Sequence, residues 1–502
     1  MSISLHRVRT GFFLDSVALM RISRAVADSD GVEDAALMMG SPTNQRLMLD
    51  AGLLSGEGID ASGGDLVIAV RARSGAAAEQ ALEAAEYALD ADRGSRGQQK
   101  TGGWRPRDLR GASQVLPVAN LVLISVPGSY AAAEARKALA SGRHVMIFSD
   151  NVALADEVAL KRQARDLGLL VMGPDCGTAI IDGVPLAFAN RVSRGEIGIV
   201  GASGTGIQEV SSLLSEAGGG VSHALGVGGR DLSEAVGGIS TLMAMEVLEA
   251  DPGTRHIVLI SKPPAGDVVA RITAKIAASA KSYTVCFVGA DSIPLPHNAT
   301  LARTLKAAAE HALGGVSLAG PEAVRVETHR TNARGSRVRG LFAGGTLAAE
   351  AQVVFTEAGE AVASNAPVPG ARELGRADDA HVLLDLGDDE YTRGRPHPMI
   401  DPAVRDAPLA EAFADAGVGV ILLDIVIGQG AAEDPAGHLA NCLNGRAEQL
   451  PVIVCSVTGT RGDRQDRSQQ IATLREAGVV VAPSNADAAA LALEWIGSRR
   501  GG

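Results

Sequence analysis

Short clusters of glycine and polar residues follow the apolar runs of this sequence, at positions where a small ligand could bind. They are GPDCGT (173–178), GASGTG (201–206), GVGGRD (226–231), AGGT (343–346), RGRPHPMID (393–401), IGQG (427–430) and VTGTRGD (457–463). Where a buried parallel strand passes into a helix, the free N–H groups of the helix N-terminus point into the turn. The pattern therefore predicts a site for phosphate or carboxylate groups.

The GASGTG turn gives the sharpest signal. Ser203 can cap the following helix, and Gly204, Thr205 and Gly206 allow several N–H groups to converge on one small volume. No lysine follows the turn, which excludes a P-loop nucleotide site, and the spacing does not match the GxGxxG fingerprint. A strand-to-helix turn without a ligand is the alternative interpretation.

Two side chains are candidates for catalysis. Cys176 lies near a predicted helix N-terminus, which lowers the pKa of a thiol and would make it a nucleophile. No histidine lies nearby in the sequence to serve as its base, so a structural role is favoured for this cysteine. His397, in the proline-rich RGRPHPMID loop, is the first candidate for a general base.

A further set of residues is predicted to contact the anion, alongside the turn at 203–206. These residues are Asp175, Gly177, Thr178, Gly229, Arg230, Arg393, Arg395 and Arg461. Arginines held in a rigid loop suit a small dianion, because the guanidinium group donates two parallel hydrogen bonds and prolines fix the backbone. A solvated interdomain loop is the alternative for the segment 393–401.

Composition excludes several classes of protein. The 502 residues carry 46 basic and 58 acidic side chains, a net charge of −12, which argues against a nucleic-acid-binding surface. The four cysteines lack CxxC or CxxH spacing, so neither a disulfide framework nor a standard structural zinc site is predicted. No signal peptide or membrane-spanning run is present, and we expect a cytoplasmic protein without a metal or another cofactor.

The elements that must position these clusters form repeated βα units. From Leu116 onward, continuous Val, Ile and Leu runs such as LVLISVP, EIGIVG, HIVLIS and TVCFVG alternate with helical patterns. Strands of this kind are buried on both faces of a parallel sheet. The first 90 residues have a different order of strands and helices, which indicates a small α+β domain of the ferredoxin-like or ACT type.

Changes in this rhythm divide the chain into four domains and a linker. We predict a small α+β domain (1–90), a linker (91–115), a Rossmann-like domain (116–194), a flavodoxin-like domain (195–320) and a C-terminal flavodoxin-like domain (336–502). The last two domains each end in a strand and a helix, which indicates a duplicated architecture.

Four motifs carry a resemblance to a known superfamily. LVLISVPGSY, MGPDCGTAI, GEIGIVGASGTGIQEVSSLL and GVGGRDLSEAVGG occur in the order and spacing of the α subunit of NDP-forming acyl-CoA synthetases, including succinyl-CoA synthetase, over about residues 116–315. The C-terminal domain resembles the flavodoxin-like domain of the synthetase β subunit. The whole chain, with its DLGDDEYTRGRPHPMIDP loop, resembles the FdrA family.

The departures from the synthetases concern the residues that couple ligation to a nucleotide. Synthetases phosphorylate a histidine in a Gly-His-Ala-Gly loop, where this chain has GADSIPLPHNATL and His297 lies outside any such motif. The glutamate that holds the phosphohistidine is also missing, since its loop reads ISKPPAGD. A nucleotide-grasp domain and the CoA-binding start of the first synthetase domain have no counterpart either.

The resemblance to FdrA implies a subunit of oxamate carbamoyltransferase, an enzyme of allantoin and purine breakdown that acts with two further subunits. That enzyme interconverts carbamoyl phosphate and oxamate with oxalurate and phosphate, and carbamoyl phosphate is already activated. Two alternatives remain open: an acyl-CoA ligase with unorthodox residues, and a non-catalytic subunit that binds small anions and regulates its partners.

Overall fold

A computed structural model describes most of the chain. The described residues are 2–12, 14, 16–54, 59–97, 106, 108–290, 292–320, 335–375, 379–392, 396–444 and 450–500. They form four sheets, and the α/β fold with parallel-sheet domains behind a small N-terminal domain confirms the predicted fold class.

The N-terminal unit is a three-stranded antiparallel sheet with helices. Its elements are β1 (Ile3–Arg9), α1 (Ser16–Ala27), β2 (Val32–Met39), α2 (Pro42–Asp50), β3 (Leu66–Ala72) and α3 (Gly75–Gly97). β3 pairs with both β1 and β2, and its residues Leu66–Val70 are completely buried because α1 and α3 cover one face of the sheet while α2 and the residues that follow it cover the other. The expected α+β arrangement is thus present.

A three-stranded parallel sheet follows, in the order β4-β5-β6. Its elements are α4 (Leu109–Val115), β4 (Leu121–Ile124), α5 (Gly128–Ala140), β5 (His144–Ile147), α6 (Leu154–Asp166) and β6 (Val171–Met172). The small alanine-rich face of α5 packs on this sheet, with Ala131, Ala135 and Ala138 fully buried. The chain then enters the segment 173–178 at the carboxyl end of β6.

The third sheet has seven strands in the order β13-β12-β11-β9-β10-β7-β8. Its elements are β7 (Thr178–Ile181), β8 (Val184–Ala187), β9 (Arg194–Gly201), α7 (Gly204–Glu216), β10 (Val221–Gly226), α8 (Ile239–Ala250), β11 (His256–Ser261), α9 (Gly266–Ala277), β12 (Ser282–Phe287), β13 (Ala299–Leu301) and α10 (Leu305–Ala312). β7 and β8 fall within the predicted domain 116–194, yet β7 pairs with β10 of this sheet. A tight turn with positive φ at Asp182 and Gly183 folds them into a hairpin that extends the sheet antiparallel.

The fourth sheet is entirely parallel, in the order β16-β15-β17-β14-β18-β19-β20. Its elements are β14 (Arg337–Phe342), α11 (Gly345–Glu357), β15 (Val362–Ser364), β16 (Arg372–Glu373), β17 (His381–Asp385), α12 (Asp389–Thr392), a short 3-10 helix (Pro402–Arg405), α13 (Asp406–Ala414), β18 (Val418–Val426), α14 (Pro435–Leu443), β19 (Val452–Thr458), α15 (Arg467–Glu476), β20 (Val480–Ala482) and α16 (Asn485–Arg500). All nine residues of β18 are buried, as its sequence predicts, since it is apolar except for Asp424.

The third and fourth sheets share one hydrophobic core, to which α7, α10, α11 and α16 contribute side chains. Polar contacts also join them: Glu209 Oε2 accepts from the Thr458 hydroxyl at 2.5 Å, and Asp463 Oδ2 accepts from Asn190 Nδ2 at 2.8 Å. This packing brings the N-terminal ends of α7 and α11 together.

Candidate functional site

The turn before α7 is arranged as its sequence predicts. Ser203 has extended backbone, and its Oγ accepts the Gly206 N–H at 3.0 Å, which caps the helix. A Cβ at Gly206 would lie 2.9 Å from the Ile260 side chain, so glycine lets α7 pack closely against β11. Capping satisfies one N–H and leaves those of Gly204 and Thr205 directed out of the helix end.

The turn before α11 is built differently. The amides of Ala343 and Gly344 donate to the Asp424 carboxylate at 2.7 and 2.8 Å, and that carboxylate is buried against the Arg405 guanidinium. The N-cap residue Gly344 has no side chain to cap the helix. The first amides of α11, beginning at Gly345, therefore face the turn without a capping side chain.

These two helix ends meet. Ser203 Oγ and Thr346 Oγ1 are 2.5 Å apart, and a Cβ at Gly344 would lie 3.0 Å from the Thr205 Cβ. Each N-terminus carries a partial positive charge from the helix dipole, and two of them facing one volume favour an anion there. Gly204, Thr205 and Gly345 are only partly covered, so a small ligand can reach these amides.

A third polar group borders the same volume. Thr178 Oγ1 is buried without a hydrogen-bond partner, and it lies 3.1 Å from the position of a Cβ at Gly204. The Gly177 Cα lies 3.9 Å from that position. The structure thus brings together the predicted residues Gly177, Thr178 and the 203–206 turn, and an acceptor bound at this helix end would satisfy the Thr178 hydroxyl.

Cys176 is buried beneath this site. Its Sγ lies 3.3 Å from the Gly226 carbonyl oxygen, and burial raises the pKa of the thiol to about 12. A nucleophilic cysteine needs a lowered pKa, so the structure does not support the catalytic role considered for Cys176. Packing between the loops at 173–178 and 226–231 explains this residue instead.

Asp175 lies at the rim of a recess with several carboxylates. Its side chain is accessible to solvent, yet surrounding protein and the charge of Asp150 raise its pKa to about 6, while the Arg230 guanidinium opposes the rise. The charge of Asp389, at the start of α12, acts in the same direction as that of Asp150. This side of the site is acidic and can hold a proton near neutral pH.

The predicted anion contacts Gly229 and Arg230 lie at the entrance. Both are exposed, and a Cβ at Gly229 would lie 3.8 Å from the Ala202 carbonyl oxygen of the α7 turn. Arg230 Nη2 is engaged by Glu157 Oε2 and by the Val152 carbonyl oxygen, each at 2.8 Å. Arg230 would have to leave these partners to bind a ligand.

Next to Arg230, the loop at 226–231 is anchored from below by a buried ion pair. Lys161 Nζ donates to Asp231 Oδ1 and Glu157 Oε1, both at 2.8 Å, and to the Val227 carbonyl oxygen at 2.9 Å. Asp231 also accepts the Thr241 N–H at 2.9 Å and so caps α8. This network holds the loop in place beside the α7 turn.

His397 lies beside the turn that follows β17. Its Nδ1 accepts the Met399 N–H at 3.2 Å, and its Nε2 lies 2.7 Å from the position of a Cβ at Gly387. Burial lowers the pKa of the ring to about 4, so it is neutral at pH 7 with its proton on Nε2. A ring in this state donates from Nε2, and its Nδ1 lone pair is engaged by the Met399 amide, so the structure does not support the general-base role predicted for His397.

Asp385 is the carboxylate of this site that the sequence analysis missed. It is the last residue of β17, and its Oδ2 contacts the position of a Cβ at Gly345, at the first turn of α11. Burial raises the pKa of Asp385 to about 6, although the Gly387 N–H bonded to its Oδ1 at 2.9 Å and the Lys262 charge oppose the rise. A carboxylate with this pKa accepts protons efficiently near neutral pH. Its position at the carboxyl end of a buried strand is the signal that could have identified it.

Of the remaining predicted arginines, Arg461 lies away from the site. Arg461 is 78% exposed and its guanidinium lies 3.8 Å from Glu216, at the far end of α7 from Ser203. Arg393 and Arg395 lie outside the described residues. His297 is exposed on the turn before β13, and Lys262 follows β11, so neither residue reproduces the phosphohistidine machinery. Within the described residues, no helix is both long and apolar enough to cross a bilayer.

Comparisons with known proteins match this architecture. A family model described as CoA-ligase matches residues 341–494, and one described as a CoA-binding domain matches residues 192–288. The uncharacterized protein YahF of Escherichia coli strain K12 is 40% identical over 511 residues, which cover 97% of this chain and 98% of YahF. The chain belongs to the YahF family.

This YahF-family chain is similar to ligase subunits over only part of its length. The α subunit of the ADP-forming succinate–CoA ligase of Methanothermobacter thermautotrophicus is 30% identical over 178 residues, 35% of this chain and 59% of the relative. SauD, a subunit of the ADP-forming sulfoacetate-CoA ligase of Bilophila wadsworthia, is 26% identical over 186 residues, 35% of this chain and 61% of the relative. The chain therefore matches about three fifths of the length of these subunits.

A solved structure of a dinucleotide-forming acetyl-coenzyme A synthetase from Ca. Korarchaeum cryptofilum has a TM-score of 0.32 and 14% identity, with 76% of this chain and 84% of that chain covered.

A third family model, described as "AllF, heavy metal-associated domain", matches residues 1–105. This part of the sequence contains no cysteine, since the first cysteine of the chain is Cys176. The domain therefore offers no thiolate ligand for a soft metal ion, and its residues do not fit the group that the description mentions.

Proposed function

We propose that this chain binds a small acyl phosphate between the N-termini of α7 and α11 and transfers its acyl group without a phosphorylated histidine. The observation that carries the proposal is the meeting of these two helix ends, with Ser203 Oγ and Thr346 Oγ1 at 2.5 Å. Two sets of free amides suit the charge of a phosphate group and of its transition state.

In finer detail, we propose that the acyl group is carbamoyl and that the chain belongs to the FdrA-type subunits of an oxamate carbamoyltransferase. The match of residues 1–105 with the AllF domain supports a connection with allantoin breakdown. The sequence of the phosphohistidine loop supports it too, because an activated substrate such as carbamoyl phosphate needs neither a nucleotide nor a phosphoenzyme.

The proposed chemistry balances as a simple acyl transfer. The amide nitrogen of oxamate attacks the carbamoyl carbon and forms the new C–N bond, while the bond from that carbon to the phosphate oxygen breaks. Asp385 takes the proton from the attacking nitrogen, and phosphate leaves into the amides of α7 and α11. His397 Nε2–H donates a hydrogen bond beside Asp385 and holds the substrate in place.

An NDP-forming acyl-CoA ligase is the second candidate. The matches with CoA-ligase and CoA-binding domains and with ligase subunits favour it. Ligation through the usual phosphohistidine would need a histidine in a Gly-His-Ala-Gly sequence directly after β12, where this chain has GADSIP and His297 lies further along the loop. A ligase would have to use another phosphate carrier.

Two parallel assays separate these candidates and the regulatory alternative. Oxalurate and phosphate are supplied and carbamoyl phosphate is measured, with the chain alone and with its co-purifying partners. In parallel, CoA, ATP and a small carboxylic acid are supplied and acyl-CoA is measured. Carbamoyl phosphate formation supports the proposal, acyl-CoA formation supports the ligase, and saturable phosphate binding without either product supports a regulatory subunit.

A further inference from the structure

A second group of chemically active side chains lies on the other side of the C-terminal sheet. His438 and Cys442 are four residues apart on α14, which places them on the same helix face. Asp406, the first residue of α13, lies opposite them. All three side chains are partly exposed, so an ion can reach them from solvent.

The three ligand atoms are spaced for one small metal ion. Asp406 Oδ1 lies 2.7 Å from His438 Nε2 and 3.6 Å from Cys442 Sγ, and Sγ lies 3.9 Å from Nε2. Tetrahedral zinc, with bonds of roughly 2.0–2.3 Å to N, O and S, separates its ligand atoms by about 3.3–3.6 Å. The observed distance between Oδ1 and Nε2 is shorter than this range, and the distance between Sγ and Nε2 is longer. Shifts of a few tenths of an ångström in each side chain would bring the three atoms to tetrahedral spacing.

The three ligand side chains line one small recess. Arg405 lines the same recess and is 7% exposed, and its Nε is buried without a hydrogen-bond partner. Its Nη2 is held by Asp424 at 2.7 Å. The recess is thus lined, besides the three candidate ligands, by a residue that has one buried donor without a partner.

The geometry does not suit a cysteine nucleophile with a histidine base. In such an arrangement the carboxylate bonds one ring nitrogen and the thiol the other. Here Asp406 and Cys442 both approach Nε2 of His438. Convergence of all three groups on one point is what a metal ion requires.

We propose that Asp406, His438 and Cys442 bind one Zn²⁺, with an open fourth position for water or a small anion. A thiolate, an imidazole and a carboxylate together favour zinc over magnesium or calcium, which prefer oxygen ligands. Binding releases the thiol proton of Cys442 and replaces the hydrogen bond between Asp406 and His438. Sequence spacing alone does not reveal this site, because Asp406 is distant from the His438–Cys442 pair.

The site is tested with Co²⁺ as a spectroscopic substitute for Zn²⁺. The full chain is stripped with a chelator and titrated with Co²⁺, then with Zn²⁺, and metal content is measured after gel filtration. We expect one ion per chain, with a thiolate-to-cobalt charge-transfer band that Zn²⁺ abolishes. Cys442→Ser should remove the band and weaken Zn²⁺ binding at least tenfold, whereas the control His297→Asn, at an exposed site away from the cluster, should change neither.

Alkylation of the wild-type chain gives a readout that depends on no variant. Cys176, Cys286 and Cys455 are buried, so iodoacetamide should modify Cys442 first. We expect Zn²⁺ to slow modification of Cys442 at least tenfold while Mg²⁺ has no effect. Failure to retain stoichiometric metal, a charge-transfer band that persists in Cys442→Ser, or equal alkylation with and without Zn²⁺ would each overturn the proposal.

Discussion

The N-termini of α7 and α11 occupy corresponding places in two sheets, but their amides are satisfied in different ways. α7 caps itself with the hydroxyl of Ser203. At α11 the N-cap is a glycine, and the buried Asp424 holds the two amides that precede the helix. Asp385 then lies against the first turn of α11, whereas the Thr178 hydroxyl lies beside the corresponding turn of α7.

This difference assigns different tasks to the two helix ends. The end of α7 presents backbone amides and hydroxyl groups to the ligand, which suits binding of an anion. The end of α11 combines free amides with a carboxylate whose pKa is about 6, which suits proton transfer during a reaction. Removal of the Asp385 carboxylate beside α11 should therefore reduce turnover, whereas changes at the α7 turn or at its contact with Thr346 should reduce affinity.

Asp385→Asn should have the largest effect. Loss of a general base costs about 10²–10⁴-fold, so we expect kcat of the carbamoyl transfer assay to fall at least about 100-fold while KM stays nearly constant. Asp379→Asn, at an exposed position before β17, is the control and should retain full activity. An unchanged kcat in folded Asp385→Asn would remove Asp385 from the mechanism.

The pH dependence of kcat/KM tests the same role of Asp385 at the end of α11. Because the pKa of Asp385 is about 6 and the base must be deprotonated, kcat/KM should rise about tenfold per pH unit below 6 and level off above it. The profile is measured between pH 5 and 8 at constant ionic strength. A falling profile over this range would mean that the group acts as an acid instead.

Thr346→Val tests the contact between the two helix ends. The substitution keeps the side-chain volume but removes the hydroxyl that meets Ser203, so we expect phosphate affinity to fall about threefold to tenfold. Thr356→Val, at the other end of the same helix, serves as the control, since its hydroxyl bonds only within α11 at Gln352 and Val353. Equal effects of the two substitutions would show that only helix stability had changed.

Glu350→Gln should act on stability and leave the reaction unchanged. Burial and the charge of Glu209 raise the pKa of Glu350 to about 8. The folded state then binds more protons than the unfolded state. Because of this group, the free energy of unfolding therefore falls as pH rises from about 4.5 to 8. The Asn485 Oδ1, which has no partner, can accept from the new amide after rotation of the Asn485 side chain.

This pH dependence is measured by chemical denaturation at pH 5.5 and 8. The free energy of unfolding of Glu350→Gln should increase relative to that of wild type as pH rises. The exposed control Glu476→Gln should have the wild-type free energy of unfolding at both pH values. If the variant's free energy of unfolding, relative to wild type, is lower at pH 8 than at pH 5.5, the raised pKa of Glu350 is contradicted.

The sequence predicts the local structure of the α7 turn well, and local physics explains why. The Ser203 cap, the glycines of the α7 turn and the strand before it all lie within one short segment. Thr346 lies in the AGGT cluster that the sequence analysis singled out, but its contact with Ser203 depends on how two sheets pack. No local pattern contains that information.

The errors of prediction have the same origin. Arg461 follows a predicted strand as Ser203 does, yet packing of the sheets places it beside Glu216. The neutral state of His397 follows from burial and from the Met399 amide, neither of which its proline-rich sequence reveals. Asp385 needed the tertiary structure to show that it faces α11.

The most direct test of the central claim is calorimetric titration of the full chain with carbamoyl phosphate and with inorganic phosphate. Wild type, Ser203→Leu and Arg461→Ala are compared after circular dichroism has confirmed that each is folded. The account predicts that Ser203→Leu abolishes binding, because leucine fills the space between the two helix ends, and that Arg461→Ala binds like wild type. Unchanged binding in folded Ser203→Leu, or loss of binding in Arg461→Ala, would contradict an anion site between α7 and α11.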